Sequence, residues 1–151
     1  MRRKDRQRDE IFAMEIVDQC AYAVLSMVDP DNKAYAVPLS IVRDGTYIYF
    51  HCAQEGYKLE CLRENPEVCL VCVGNVCPAL DRFTTAFSSA IVKGNCEEVT
   101  NDTEKINALR LLCQRYTPQN MAAFDQAIAR SLARTAVYRI AITQITGKEK
   151  K

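Results

Sequence analysis

The sequence has no tryptophan, one histidine and five glycines. A single histidine excludes any metal centre built on several imidazoles. The short signatures of common chemistries are missing too: there is no G-x-G-x-x-G, no Walker loop, no G-x-S-x-G and no H-E-x-x-H. No apolar run approaches the ~20 residues of a membrane span. The basic start resembles the first part of a signal peptide, but Asp9, Glu10, Glu15 and Asp18 break up any apolar stretch behind it. With a formal charge of +1, no overall field draws the chain to nucleic acid or to a membrane. These absences predict a cytoplasmic protein with neither partner.

The 151 residues suit one domain, 1–151, able to bury roughly 70% of its unfolded surface without disulfides or a structural metal. Hydrophobic residues make up 48% and charged ones 26%, the balance of a globular chain. The positive charge gathers at the ends: Arg2, Arg3, Lys4, Arg6 and Arg8 in a basic tail over residues 1–8, and Lys148, Lys150 and Lys151 at the finish. No aromatics interleave with them, so they read as solvated tails rather than a nucleic-acid surface.

Eight cysteines invite a metal or redox reading, and Cys69 and Cys72 form a C-x-x-C with Cys77 close behind. Their setting, Val68-Cys69-Leu70-Val71-Cys72-Val73, is that of a buried strand. On a strand, residues three apart point to opposite faces, so the two thiols diverge. Cys20, Cys61, Cys96 and Cys113 lie on apolar stripes or strand ends and read as small core residues.

Along the chain, Asp9 is a candidate N-cap for a helix carrying Phe12, Ala13, Ile16, Val17 and Cys20 at helical spacing. A β-meander follows: strand Tyr22–Val28, turn Asp29–Asn32, strand Ala34–Val42, the Asp44-Gly45 hairpin signal, and strand Thr46–Cys52. A short helix, Gly56–Arg63, stops at Asn65-Pro66. Glu67–Val73 and Phe83–Val99 are extended, with Gly94 marking a bulge or bend. Two helices come next, one capped by Asn101 or Asp102, the other starting at Thr117-Pro118. The alternating Val137–Ile145 is the last strand. About six strands with helices before, between and after them make an α+β domain, and regular turns between short strands favour a barrel.

Two spots are unusual. Pro38 lies within Ala36-Val37-Pro38-Leu39-Ser40-Ile41, where a residue without an N–H fits only at an edge or an irregularity. It marks either an ordinary edge strand or backbone groups left free to bond something else. The other is Tyr49-Phe50-His51-Cys52-Ala53-Gln54-Glu55-Gly56-Tyr57-Lys58, in which a strand end and a glycine turn lead to a lysine in the first turn of a helix. Such a helix start suits a phosphate; the alternative is a solvated Lys58 and a surface His51.

These two spots carry a resemblance. Tyr35-Ala36-Val37-Pro38-Leu39-Ser40, the hairpin, Tyr49-Phe50-His51-Cys52-Ala53 and Gly56-Tyr57-Lys58 resemble the flavin-binding half of pyridoxamine 5′-phosphate oxidase-related proteins. Leu62–Cys69, Phe87–Gly94 and the ending Ile145–Lys148 continue the likeness over nearly the whole chain. The resemblance implies an antiparallel split β-barrel of about six strands with flanking helices, a homodimer, and FMN held between the two copies. It places Val37, Pro38, Leu39 and Ser40 beside the isoalloxazine. It puts His51 and Cys52 on the ribityl-phosphate side, Tyr57 and Lys58 at the phosphate, and Ser88 and Ser89 as hydroxyl partners from a later strand. Pyridoxamine 5′-phosphate oxidases also resemble one another in an arginine-containing C-terminal segment, whereas this chain finishes Ile-Thr-Gly-Lys-Glu-Lys-Lys. That departure argues against vitamin B6 oxidation. His51 with Ala-Gln-Glu-Gly-Tyr-Lys is more similar to the nitroimidazole-resistance branch.

The expected function is therefore an FMN-dependent oxidoreductase acting on a small molecule such as a nitro compound. His51, the one side chain here that titrates near neutrality unperturbed, is the candidate catalytic proton donor. A flavin carrier or sensor without turnover, or a haem-handling barrel with His51 as ligand, remains the alternative.

Overall fold

The computed structural model describes residues 2–80 and 83–151. The first helix, α1 (Glu10–Gln19), begins where the sequence predicts, with the Asp9 carboxylate accepting from the Phe12 N–H at 2.9 Å. Its buried stripe is Ala13, Ile16 and Val17. Ahead of it, a two-residue strand, β1 (Gln7–Arg8), pairs with the other end of the chain, Gln7 opposite Lys148 and Arg8 opposite Gly147. The two basic ends thus meet in the sheet, helped by an Arg8–Glu149 ion pair at 3.0 Å. Gly147 allows the close approach: a Cβ there would lie 3.1 Å from Phe12 and 3.2 Å from Ala13.

The meander runs β2 (Ala23–Val28), β3 (Ala34–Leu39), β4 (Val42–Asp44) and β5 (Tyr47–Ala53), followed by α2 (Tyr57–Glu64). A long hairpin comes next, β6 (Glu67–Ala79) and β7 (Thr84–Glu98). Then α3 (Asp102–Tyr116), a 3-10 turn over Pro118–Ala123, α4 (Phe124–Ser131) and a second 3-10 turn over Leu132–Arg134 lead into β8 (Thr135–Lys150). All pairings are antiparallel, in the order β3-β2-β6-β7-β8-β5-β4 with β1 beside β8.

That order explains the barrel. β3 and β4 lie at opposite ends of the sheet, yet only Ser40 and Ile41 join them. Three Cα steps span at most ~11 Å, so the sheet must curl until its ends meet. The seam between β3 and β4 carries no ladder, which makes the barrel split. The continuous strand expected over Ala34–Val42 is consequently two strands. Ile41 leaves the ladder because its N–H donates to the Tyr116 hydroxyl (3.1 Å), while its carbonyl accepts from Tyr116 (3.0 Å) and Arg115 (2.9 Å). With this division and the added β1, eight strands stand where about six were predicted.

Gly94 marks the expected irregularity, a register shift in the β7–β8 ladder. A Cβ there would collide with the Ala141 carbonyl and lie 2.7 Å from Ile140. β6 runs past the predicted end at Val73 through a bulge after Gly74, where Asn75 takes a left-handed φ of 51°. Cys72 faces the interior while Cys69 is half-buried on the other side of β6.

Two apolar layers hold the molecule. Inside the barrel, Leu25, Ile48, Phe50, Leu70, Val92 and Ile140 pack with Ile16 and Val17 of α1. Outside it, Leu109 and Leu112 of α3 and Phe124 of α4 cover Tyr49 and Val137. Each such side chain contributes about 1.5–3 kcal/mol when fully buried. β5 is covered on both faces, which fixes the position of the residues that follow Phe50. Among the described residues, no helix is long and apolar enough to cross a membrane.

Candidate functional site

The site is built on the unpaired edge of β3. Val37 and Leu39 turn inward and pack on the barrel core, while Ala36, Pro38 and Ser40 are exposed. β3 pairs only with β2, Pro38 lying opposite Val24. A proline is accommodated there with its nitrogen on the unpaired side. Residues of the same parity direct both backbone groups the same way, so the Ala36 N–H and C=O and the Pro38 carbonyl stand on the free edge. Both readings of Pro38 are met at once: it sits in an edge strand, and that edge offers unpaired polar groups.

β5 delivers the next residues. Beyond the buried Phe50, His51 is exposed and Cys52 half-buried. The chain then turns at Gly56, whose φ of 140° lies outside the range open to side-chain-bearing residues. Gly56 caps α2, placing Lys58 in the first turn with its Nζ 5.1 Å from the centre of the Phe50 ring. None of the ion pairs among the described residues involves Lys58. Partial burial of the ring, and then the Lys58 charge, hold the His51 pKa below its ordinary value. Burial pushes the Cys52 thiol up, with Lys58 opposing.

Tyr57 anchors this turn to the β3 side. Its hydroxyl donates to the Asp29 carboxylate at 2.8 Å, and its ring meets Tyr35 edge-on at 5.0 Å. The Asp29 hydrogen bond pushes the phenol up to about 12. Asp29 also accepts from the Asp31 and Lys33 N–H groups, so one carboxylate ties the β2–β3 turn to the start of α2. The sequence showed Asp29 only as a turn residue; its second partner is distant in sequence and carries no local signal.

Ser40 and His51 share the wall of a cavity of about 190 Å³, whose other side is apolar, with Leu112, Tyr116 and Ile128 from the outer helical layer. Leu112, Tyr116 and Ile128 recur at helical spacing, a pattern that does not tell core from cavity wall.

Ser88 and Ser89 are placed elsewhere. From Leu39 the register passes through Ala23 and Cys72 to Ala90, three strand spacings or roughly 14 Å. Along β8, His51 is opposite Val137 and Ser89 opposite Lys148, separated by roughly 36 Å of strand. Ser88 is buried and donates to the Gly74 carbonyl at 2.8 Å. Within one chain, then, the β3 edge, His51, Cys52, Tyr57 and Lys58 come together, and the two serines do not join them.

The pyridoxamine 5′-phosphate oxidase family profile matches residues 8–149. Among curated proteins no sequence matches significantly. Among solved structures, the chain is similar to a protein provisionally assigned to 5-nitroimidazole antibiotic resistance from Bacteroides thetaiotaomicron. The two are 24% identical over 94% of this chain and 84% of that one, with a TM-score of 0.78. It is similar also to the FAD- and haem-binding protein from Mycobacterium smegmatis, at 20% identity over 97% and 74% of the chains and a TM-score of 0.81. The flavocytochrome Anf3 of Azotobacter vinelandii is 21% identical over 100% and 72%, with a TM-score of 0.82. At these identities the likeness establishes the fold.

Proposed function

The chain belongs to the pyridoxamine 5′-phosphate oxidase family, and from that premise we propose that it binds FMN and acts as an oxidoreductase on a small organic acceptor, nitro compounds above all. The observation that carries this reading is the meeting of a free β3 edge with His51 and an ion-pair-free Lys58 at one helix start. The donor set fits the cofactor. A phosphate needs positive charge and unpaired N–H groups, which Lys58 and the first turn of α2 offer. The polar edge of the isoalloxazine needs backbone partners, which Ala36 and Pro38 leave open on β3.

When bound, FMN would supply the two-electron chemistry that no side chain here provides. The protein's part is to hold, orient and protonate. Val37 and Leu39 anchor β3 to the core so that its edge is rigid. Tyr57 and Asp29 fix the angle of α2 against that strand. His51, kept short of a proton at neutral pH, is the group that would pass one to a reduced acceptor in the cavity it shares with Ser40.

The partner in this reading is a second copy of the chain. Leu80 and Phe83 are fully exposed at the far end of the β6–β7 hairpin, and Ile91 is half-exposed beside Ser89. Apolar side chains on this scale mark an interaction surface, and a second copy seated there would cover Ile91 and the neighbouring Ser89. Purified protein that binds FMN, and turns over a nitroaromatic with a chemical reductant, would support the reading. Protein that takes up haem and no flavin would replace it.

A further inference from the structure

The β3 edge is open to a ligand only while nothing else in the chain pairs with it, and its two ends are held by different means. At the start, the Tyr35 ring meets Tyr57. At the finish lies the Ser40-Ile41 corner, where the chain passes from β3 to β4. Ile41 is fully buried, so its backbone N–H and carbonyl both need partners. Another strand would supply them by extending the ladder, and would cover the edge. Here α3 supplies them with side chains. The Tyr116 hydroxyl accepts from the Ile41 N–H at 3.1 Å and donates to its carbonyl at 3.0 Å, and Arg115 donates to the same carbonyl at 2.9 Å.

The Arg115 guanidinium also donates to the carbonyls of Val17 (3.1 Å) and Cys20 (2.7 Å). These stand at the end of α1, where carbonyls lack partners within the helix and a cation is favourable. None of the ion pairs among the described residues involves Arg115. Its fork is engaged by three carbonyls from two elements instead. Ile16 and Val17 of α1 pack inside the barrel, so Arg115 ties the corner to the core. The Tyr116 ring meanwhile forms part of the wall of the cavity that holds Ser40 and His51. One helix thus grips the residue that follows the β3 edge, and grips it from outside the sheet.

We propose, resting on the reading that the β3 edge takes the isoalloxazine, that Tyr116 and Arg115 are positioning residues for the ring system of the flavin. By satisfying both backbone groups of Ile41 with side chains, they keep the β3 edge unpaired and fix its place against the core. Both act through Ile41. Their effect therefore belongs to the ring end of the cofactor and is separate from that of Lys58, which acts on the phosphate.

Tyr116→Phe keeps the ring and the cavity wall and removes one hydroxyl. Fluorescence titration of the full-length variant should show FMN and riboflavin, which has the same ring and no phosphate, both weakened by the same factor of about tenfold. Lys58→Ala should weaken FMN and leave riboflavin nearly unchanged. Hydrogen exchange read by mass spectrometry, with no flavin present, should show the peptide carrying Ile41 exchanging at least tenfold faster in Tyr116→Phe, while peptides from β6 and β7 keep the wild-type rate. Unchanged affinity for both flavins, a loss confined to FMN, or unchanged exchange at Ile41 overturns the proposal alone. Wild-type protein that binds neither flavin overturns the reading of the edge, and the proposal with it. Should Tyr116→Phe misfold, as judged by circular dichroism, Arg115→Lys takes its place with the same expected pattern, because a lysine keeps the charge and loses the fork.

Discussion

The β3 edge and the far end of the β6–β7 hairpin belong to one sheet, yet they face solvent with opposite chemistry. At β3 the side chains are small and the backbone is unpaired, with His51 and Lys58 nearby. On the hairpin the two strands pair with each other, and what stands exposed on them is apolar: Val76, Leu80, Phe83 and Ile91. The first suits a flat, polar-edged ligand with a phosphate, the second another protein surface. Ser89 lies on the second, beside Ile91, whereas Ser88 is buried. If Ser89 serves the ligand of the first, a second copy must bring it there.

A charge on the hairpin should have the largest effect. If the proposed dimer closes over this face, Ile91→Glu should raise its dissociation constant by at least ~100-fold, since an unpaired carboxylate buried at an interface costs several kcal/mol. Size-exclusion chromatography at micromolar concentration should then show a monomer with unchanged circular dichroism and weakened FMN binding. A monomer that keeps full affinity would confine the site to one chain. At the other region, Lys58→Ala should weaken FMN binding roughly 10–100-fold, the usual worth of a charge-assisted hydrogen bond, as read by fluorescence titration, and leave the dimer intact.

The two serines sharpen the contrast further. Ser88→Ala should lower stability by about 1–3 kcal/mol in urea unfolding, because it orphans the Gly74 carbonyl. Ser89→Ala should leave stability within about 0.5 kcal/mol and alter flavin affinity instead. Equal behaviour of the two would remove the distinction between a structural and a ligand-facing hydroxyl.

The smallest effect concerns pH. With its pKa held below the ordinary value, His51 is neutral in the folded protein when the unfolded chain begins to take up a proton at about 6.5. Its contribution is therefore nil at neutral pH, and stability falls as pH drops through that value toward the folded one. His51→Gln should flatten this dependence, as urea unfolding at a series of pH values would show. If His51 donates the proton, the wild-type rate should decline as pH rises through the depressed pKa, and the variant should lose that limb.

Much of this could be read from the sequence, for physical reasons that differ by residue. Asp9, Asn101 and Gly45 act within one turn of themselves, so their roles are local and legible. The Gly94 bulge was visible as a glycine inside a strand pattern. The split between β3 and β4 was not, because what draws Ile41 out of the ladder is Arg115 and Tyr116, about 75 residues later. The Tyr57–Asp29 bond and the hold of Arg115 on the carbonyls of Val17 and Cys20 are likewise tertiary, and each of their residues looks ordinary alone. Pro38 is the intermediate case: its missing N–H announced an edge, but only the strand order shows that this edge is free.

Whether the protein holds flavin is decided by the visible absorption spectrum of the full-length chain, recorded as purified and again after incubation with excess FMN and removal of the unbound cofactor. Wild type should show the two-banded yellow spectrum of oxidised flavin at about one flavin per chain, sharply reduced in Lys58→Ala. A colourless wild-type protein after reconstitution, or equal loading of the variant, would contradict it.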